Sequence, residues 1–149
     1  MNQKNEELQT REGKEINLFV CGPTVYDNAH IGHARTYVAF DIVVRYLRKL
    51  GYAVSYVRNI TDVEDKIINR AIENNETPEQ LTERTIGYMH EDFDALNMAR
   101  PDLEPRVTTH MNEIITMIET LVAKKHAYIA GGKANVAGQG DVLFEVASV

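Results

Sequence analysis

The chain has 149 residues, and sixteen Lys+Arg against twenty-two Asp+Glu leave a formal charge of −6 at pH 7 with the five His neutral. Hydrophobic residues at 44% and charged residues at 26% are ordinary globular values that argue against disorder, and the acidic balance argues against a general nucleic-acid coat. A single Cys excludes an internal disulfide and favours a reducing, cytoplasmic setting, no apolar run approaches the roughly 20 residues of a membrane span, and the polar start Met1-Asn2-Gln3-Lys4-Asn5 is no signal peptide.

Residues 1–14 are polar and charged, and read as a loose lead-in or an edge hairpin. Ile16-Asn17-Leu18-Phe19-Val20-Cys21 is a short apolar run with the character of a buried strand, closed by the breaker Gly22-Pro23. A loop from Thr24 to Ala29 leads into a helix. There Ala39, Ile42, Val43, Tyr46, Leu47 and Leu50 recur at helical period, and Gly51 stands where a C′ residue belongs. Tyr52-Ala53-Val54-Ser55-Tyr56-Val57 is a second strand, so residues 16–61 form a βαβ unit whose strands should run parallel. Thr61 with Glu64 predicts a capping box for a helix that buries Val63, Ile67, Ile68, Ala71 and Ile72. Thr77-Pro78-Glu79-Gln80 predicts another, for a helix with Leu81, Thr85, Met89, Phe93 and Leu96 inward. After the two-proline connector Arg100-Pro101-Asp102-Leu103-Glu104-Pro105, a last helical stripe holds Met111, Ile114, Ile115, Ile118, Leu121 and Val122. The runs 127–130 and 142–146 flank a glycine-rich turn and read as a hairpin. The expected class is α/β: a partial Rossmann-like parallel sheet with a helical insertion and a terminal β-hairpin. Two parallel strands are few for such a sheet, so the chain reads as truncated.

Chemistry concentrates between Cys21 and Arg35. That segment runs from the carboxyl end of a strand into a helix N-terminus, where open α/β sheets bind ligands. His30 and His33 share one face of the first helical turn, beside free backbone N–H groups suited to phosphate. Gly32 leaves room for a ligand to approach the backbone. The pair reads either as a solvated turn or as charge stabilisation for a transferring phosphoryl group. Cys21 alone reads either as a small buried hydrophobe or as one metal ligand of about four. Asp62, Glu64 and Asp65 form an acidic cluster; Asp62 is a candidate for Mg²⁺ or an amino group, and the other two suit a helix dipole. His90, His110 and His126 read as surface or cap residues.

His30-Ile31-Gly32-His33 resembles the first signature of class I aminoacyl-tRNA synthetases. The frame Cys21-Gly22-Pro23-Thr24-Val25-Tyr26-Asp27, the run Tyr56-Val57-Arg58-Asn59-Ile60-Thr61-Asp62, and the blocks Asp92-Phe93-Asp94-Ala95-Leu96-Asn97 and Arg100–Arg106 resemble the cysteinyl members. The resemblance covers nearly everything from about Leu18 onward. It implies cysteine–tRNA ligase activity: cysteine activated with ATP and Mg²⁺ to cysteinyl-adenylate, then transferred to tRNA(Cys). It implies Thr24, His30, Gly32 and His33 around ATP, with His30 and His33 catalytic; Cys21, Gly22 and Thr61 beside the amino acid; and Cys21 as one ligand of a Zn²⁺ that selects the thiolate. Residues 62–149 would then be a helical region and the start of the connective insertion. Arg58 becomes a candidate for tRNA phosphate, whereas Arg45, Arg48 and Lys49 read as a solvated helix face. The remaining zinc ligands, a Lys-Met-Ser-Lys-Ser-like loop and the anticodon-binding helices are not found. A non-catalytic nucleotide- or partner-binding half-domain and a piece of the mycothiol-synthesis cysteine ligase are the alternatives. Unpaired sheet edges predict self-association.

Overall fold

The computed structural model describes residues 7–10, 13–131 and 140–148. They fall into two compact units that divide between Thr108 and Thr109. The lead-in is therefore described only in part, and the glycine-rich turn at 132–139 lies outside the described residues.

In the first unit, β1 (Glu15–Val20) and β2 (Ala53–Arg58) pair in parallel from Glu15↔Ala53 to Val20↔Arg58. Each strand sits one residue from its predicted position, and Cys21 falls just past β1. Alternation turns Ile16, Leu18 and Val20 inward beside Val54 and Tyr56, and leaves Phe19 on the other face, 64% exposed. The two-proline connector is more than a link. Leu103 and Arg106 bridge Val57 and Ile60 in parallel, and the amides of Arg58 and Ile60 donate to Leu103 O and Pro105 O at 3.1 and 2.9 Å.

The crossover is α1 (Ile31–Lys49). Its end is a Schellman motif: the Tyr52 amide reaches Leu47 O and the Gly51 amide reaches Arg48 O, with Gly51 at φ +85°. The buried face of α1 differs from the predicted stripe. Tyr37 and Val44 point into the core, and Val38 and Leu47 are half-buried. Ile42 and Tyr46 are each 62% exposed, with Ala39, Val43 and Leu50 also outward. The helix is apolar on nearly every side, so spacing alone selects no face, and the packing of Tyr37 against Phe93 selects this one, with centroids 5.2 Å apart.

Helix α2 (Asp65–Asn74) starts later than the Thr61–Glu64 box predicts. Glu64 is its N-cap and makes no side-chain cap bond; only Ile67 and Ala71 are buried, while Val63, Ile68 and Ile72 are exposed. Helix α3 (Pro78–Ala95) begins at the predicted box. The Thr77 hydroxyl accepts from the Gln80 amide at 3.2 Å, and Gln80 Oε1 accepts from the Thr77 amide at 3.0 Å. Leu81, Thr85, Met89 and Phe93 are buried as expected, and Leu96 is exposed at the C-cap.

In the second unit, α4 (Met111–Ala123) packs on β3 (Ala127–Ala130), which pairs antiparallel with β4 (Asp141–Phe144) as predicted. No residue of α4 is fully buried: Ile114, Ile118, Leu121 and Val122 are half-buried, while Met111 and Ile115 are exposed. No helix among the described residues is long and apolar enough to cross a membrane.

Candidate nucleotide and amino-acid site

The first turn of α1 is closed by its own histidines. His30 is the N-cap in extended conformation, and its Nδ1 accepts from the Gly32 amide at 3.0 Å. His33 Nδ1 accepts from the His30 amide at 3.2 Å, which makes the cap reciprocal. The ring centroids are 4.0 Å apart. A nitrogen that accepts carries no proton, so both neutral rings are protonated at Nε2 and hold that N–H free of the cap. Partial burial, and secondarily the neighbouring His30, hold His33 below the ordinary imidazole value. The bare Cα of Gly32 makes room for the His30 ring itself: a Cβ there would meet His30 Cε1 at 2.8 Å and Nδ1 at 2.9 Å. His33 and Thr24 line one cleft with Asp27 and Ala29, above Met89 and Phe93.

The carboxyl ends of β1 and β2 interlock. Thr24 and Thr61 form a parallel bridge, in which the Val25 amide donates to Thr61 O and the Thr61 amide to Pro23 O, both at 3.1 Å. Gly22 lies so close to the second chain that a Cβ would stand 1.5 Å from Asn59 O. Asn59 then joins both substrate-side residues: its Oδ1 accepts from the Gly22 amide at 2.8 Å and its Nδ2 donates to Thr61 Oγ1 at 3.3 Å. Cys21 is exposed, and its carbonyl accepts from the Tyr37 hydroxyl at 3.1 Å. Burial pushes that phenol up to about 12, against the opposing influence of Arg58.

Several charged residues have other work than the sequence suggests. Arg58 is 2% exposed; its guanidinium lies between the rings of Tyr37 and Phe93 at 5.1 and 4.9 Å and forks onto Glu104 at 3.0 and 2.5 Å. A buried, fully paired guanidinium does not reach a tRNA phosphate, so that expectation is corrected. Glu104 also meets His90 Nε2 at 2.7 Å. Asp62 is 8% exposed and its carboxylate caps the turn at 108–110, accepting from the Thr108 amide and hydroxyl at 3.0 and 2.5 Å; it is engaged rather than open to Mg²⁺. Arg45 and Arg48 tie α1 to the connector through Asn97 O and Asp102, both at 2.7 Å, rather than forming a free solvated face. His110 is the N-cap position of α4, and His126 meets the Ser148 hydroxyl at 2.8 Å.

Asn59 and Tyr37 are the site residues that pattern reading passes over. The breaker Gly22-Pro23 at one strand end and an amide side chain at the other are the signal that pointed to Asn59. Tyr37 reads only as one apolar residue among many. Among the described residues, no group of three or more His, Cys, Asp or Glu side chains is placed to hold a metal ion. Cys21 does not fit a complete zinc site with the residues around it, because zinc takes about four donors.

Residues 7–149 match the family described as tRNA synthetases class I (C) catalytic domain. The chain belongs to that class I synthetase family. The Cysteine--tRNA ligase of Colwellia psychrerythraea is 74% identical over 134 residues, which are 90% of this chain and 29% of the relative. That of Yersinia pestis bv. Antiqua (strain Angola) is 57% identical over 148 residues, 99% of this chain and 31% of the relative. This synthetase-family chain thus spans less than a third of the length of those relatives. Among solved structures, the LeuRS of Agrobacterium radiobacter K84 in its ternary LeuRS-tRNA-LeuAMS complex shares the fold at a TM-score of 0.70 and 21% identity, over 80% of this chain and 16% of that one.

Proposed function

We propose that this chain contributes the ATP-phosphate and amino-acid walls of a cytoplasmic cysteine–tRNA ligase, which activates cysteine with ATP and passes it to tRNA(Cys). The observation that carries this reading is the reciprocal histidine cap on α1. It turns the family signature into two outward Nε2–H donors at a helix N-terminus, beside Thr24. In activation, a carboxylate oxygen of cysteine attacks the α-phosphorus of ATP. The new O–P bond forms as the bond to the β-phosphate bridging oxygen breaks, and pyrophosphate leaves with the electron pair. His30 and His33 donate hydrogen bonds to phosphate oxygens through this step, and no covalent enzyme intermediate is involved. Thr24 and Gly32 line the ATP side, with Mg²⁺ accompanying the nucleotide. Cys21, Gly22 and Thr61 form the amino-acid side. Cys21 is proposed as one thiolate of a zinc site whose other donors are not among the described residues, and no step is drawn through that metal. Residues 16–61 would be the nucleotide-binding unit, and 62–149 the helical region opening the connective insertion.

The test is cysteine-dependent ATP–pyrophosphate exchange, run with zinc supplied, by this chain mixed with the remaining segment of the Colwellia relative. The reading expects exchange with cysteine, little with serine, and loss in H30A and H33A. Exchange that serine supports equally, or that survives both substitutions, contradicts it. A second reading, a half-domain that binds nucleotide and catalyses nothing, is favoured by the lack of a metal-binding cluster among the described residues; it expects ATP binding with no exchange in that mixture.

A further inference from the structure

Asn59 touches both residues assigned to the amino-acid wall, and its orientation is not free. The Gly22 amide can only donate, so the atom that faces it at 2.8 Å must be the Asn59 oxygen. The Asn59 nitrogen therefore faces Thr61 Oγ1 at 3.3 Å, and that nitrogen can only donate. Thr61 Oγ1 accepts there, and its own hydrogen is turned elsewhere. The Thr61 backbone is already tied on both sides, its amide to Pro23 O and its carbonyl to the Val25 amide. Among the described residues no acceptor is paired with the hydroxyl hydrogen.

We propose that Asn59 is a positioning residue that presents the Thr61 hydroxyl as a hydrogen-bond donor, so that the group seated on Thr61 is an anionic oxygen, the carboxylate of the amino acid. This rests on the reading of Thr61 as part of the amino-acid wall. A hydroxyl aimed at the attacking carboxylate would hold one oxygen while the other reaches phosphorus. The amide at position 59 matters because an aspartate there would accept from both neighbours. It would keep the Gly22 bond and reverse the Thr61 hydroxyl.

The polarity is read directly in a neutron structure of the deuterated 149-residue chain. The proposal expects the Thr61 hydroxyl deuterium directed away from Asn59, with an Asn59 Nδ2 deuterium on the line to Oγ1. A hydroxyl deuterium on that line overturns it. The consequence is read in the exchange reaction with N59D, T61V and the double variant, whose folding is checked by hydrogen exchange at the Gly22 amide. The KM for cysteine is expected to rise at least about tenfold in each single variant with no further rise in the double, while the KM for ATP stays within about twofold. A further rise in the double variant assigns the effect to the added charge, and a change in the ATP KM instead places a phosphate on Thr61; either result overturns the carboxylate assignment, as does T61V without effect. If the unsubstituted protein supports no exchange, the functional reading fails and takes the carboxylate with it, and the neutron map alone decides the donor polarity.

Discussion

Two imidazoles that accept the amides of their own helical turn cannot also be protonated on the nitrogens that accept, and this sets how the site responds to pH. His33 titrates below 6.5 in the folded chain and near 6.5 when unfolded. In the window below about 6.5 the unfolded chain binds the extra proton first, so stability is fully present above that pH and is lost as pH falls through the lowered folded value. H33Q keeps an acceptor for the His30 amide without titrating. Urea midpoints at about pH 7 and about pH 5.5 should differ less in H33Q than in the unsubstituted chain; an equal acid loss in both contradicts the assignment. Gly22 makes a harder claim. Its absent Cβ would fall 1.5 Å from a backbone oxygen and 2.6 Å from the attached carbon, and neither belongs to a side chain that can move away. G22A should cost about 3 kcal/mol or more in urea denaturation. An unchanged midpoint would mean that the two strand ends do not cross as described.

At the scale of elements, the caps separate what local sequence can say from what it cannot. Thr77 and Gln80 satisfy each other within one turn, so their box is legible from four residues. T77A should lower stability by about 1 kcal/mol. Thr61 and Glu64 spell a similar pattern, yet Thr61 is held in the bridge to Thr24 and its hydroxyl accepts from Asn59, so α2 starts at Asp65 without a side-chain cap. E64S supplies the missing acceptor and should raise stability by about 0.5 kcal/mol. A thermal melt that moved the same way for T77A and E64S would contradict both cap assignments. The two strands, the crossover helix and the hairpin were legible because each rests on short-range periodicity and turn residues. The inward face of α1 was not, because Tyr37 and Tyr46 are equally apolar in sequence and only Phe93, 56 positions from Tyr37, chooses between them. Arg58 was misread for the same reason: Glu104 lies 46 positions away. The histidine pair was legible as a site through its motif, but its reciprocal capping depends on ring orientation that no spacing reveals.

For the whole molecule, the face of α1 that carries Ile42, Val43, Tyr46 and Leu50 is open, Phe19 is exposed on the sheet, and β1 is paired only with β2 among the described residues. Exposed apolar surface next to an unpaired strand edge favours association. Sedimentation of this chain should show a mass that rises with concentration and falls back towards one copy in the I42K/Y46K variant. A monomer at every concentration contradicts that expectation. The core beneath is independent of it. Val20, Val44, Val54, Tyr56, Ile60 and Met89 close around the strand ends and α1, so the histidine cap stands on a packed base. The central claim is that this cap holds ATP by its phosphates, and titration of the isotope-labelled chain with ATP, followed by NMR, tests it most directly. The account predicts that the Nε2 resonances of His30 and His33 and the amide of Gly32 shift together with Thr24, with AMP giving much smaller changes; no shift at the histidines, or shifts that AMP reproduces in full, would contradict it.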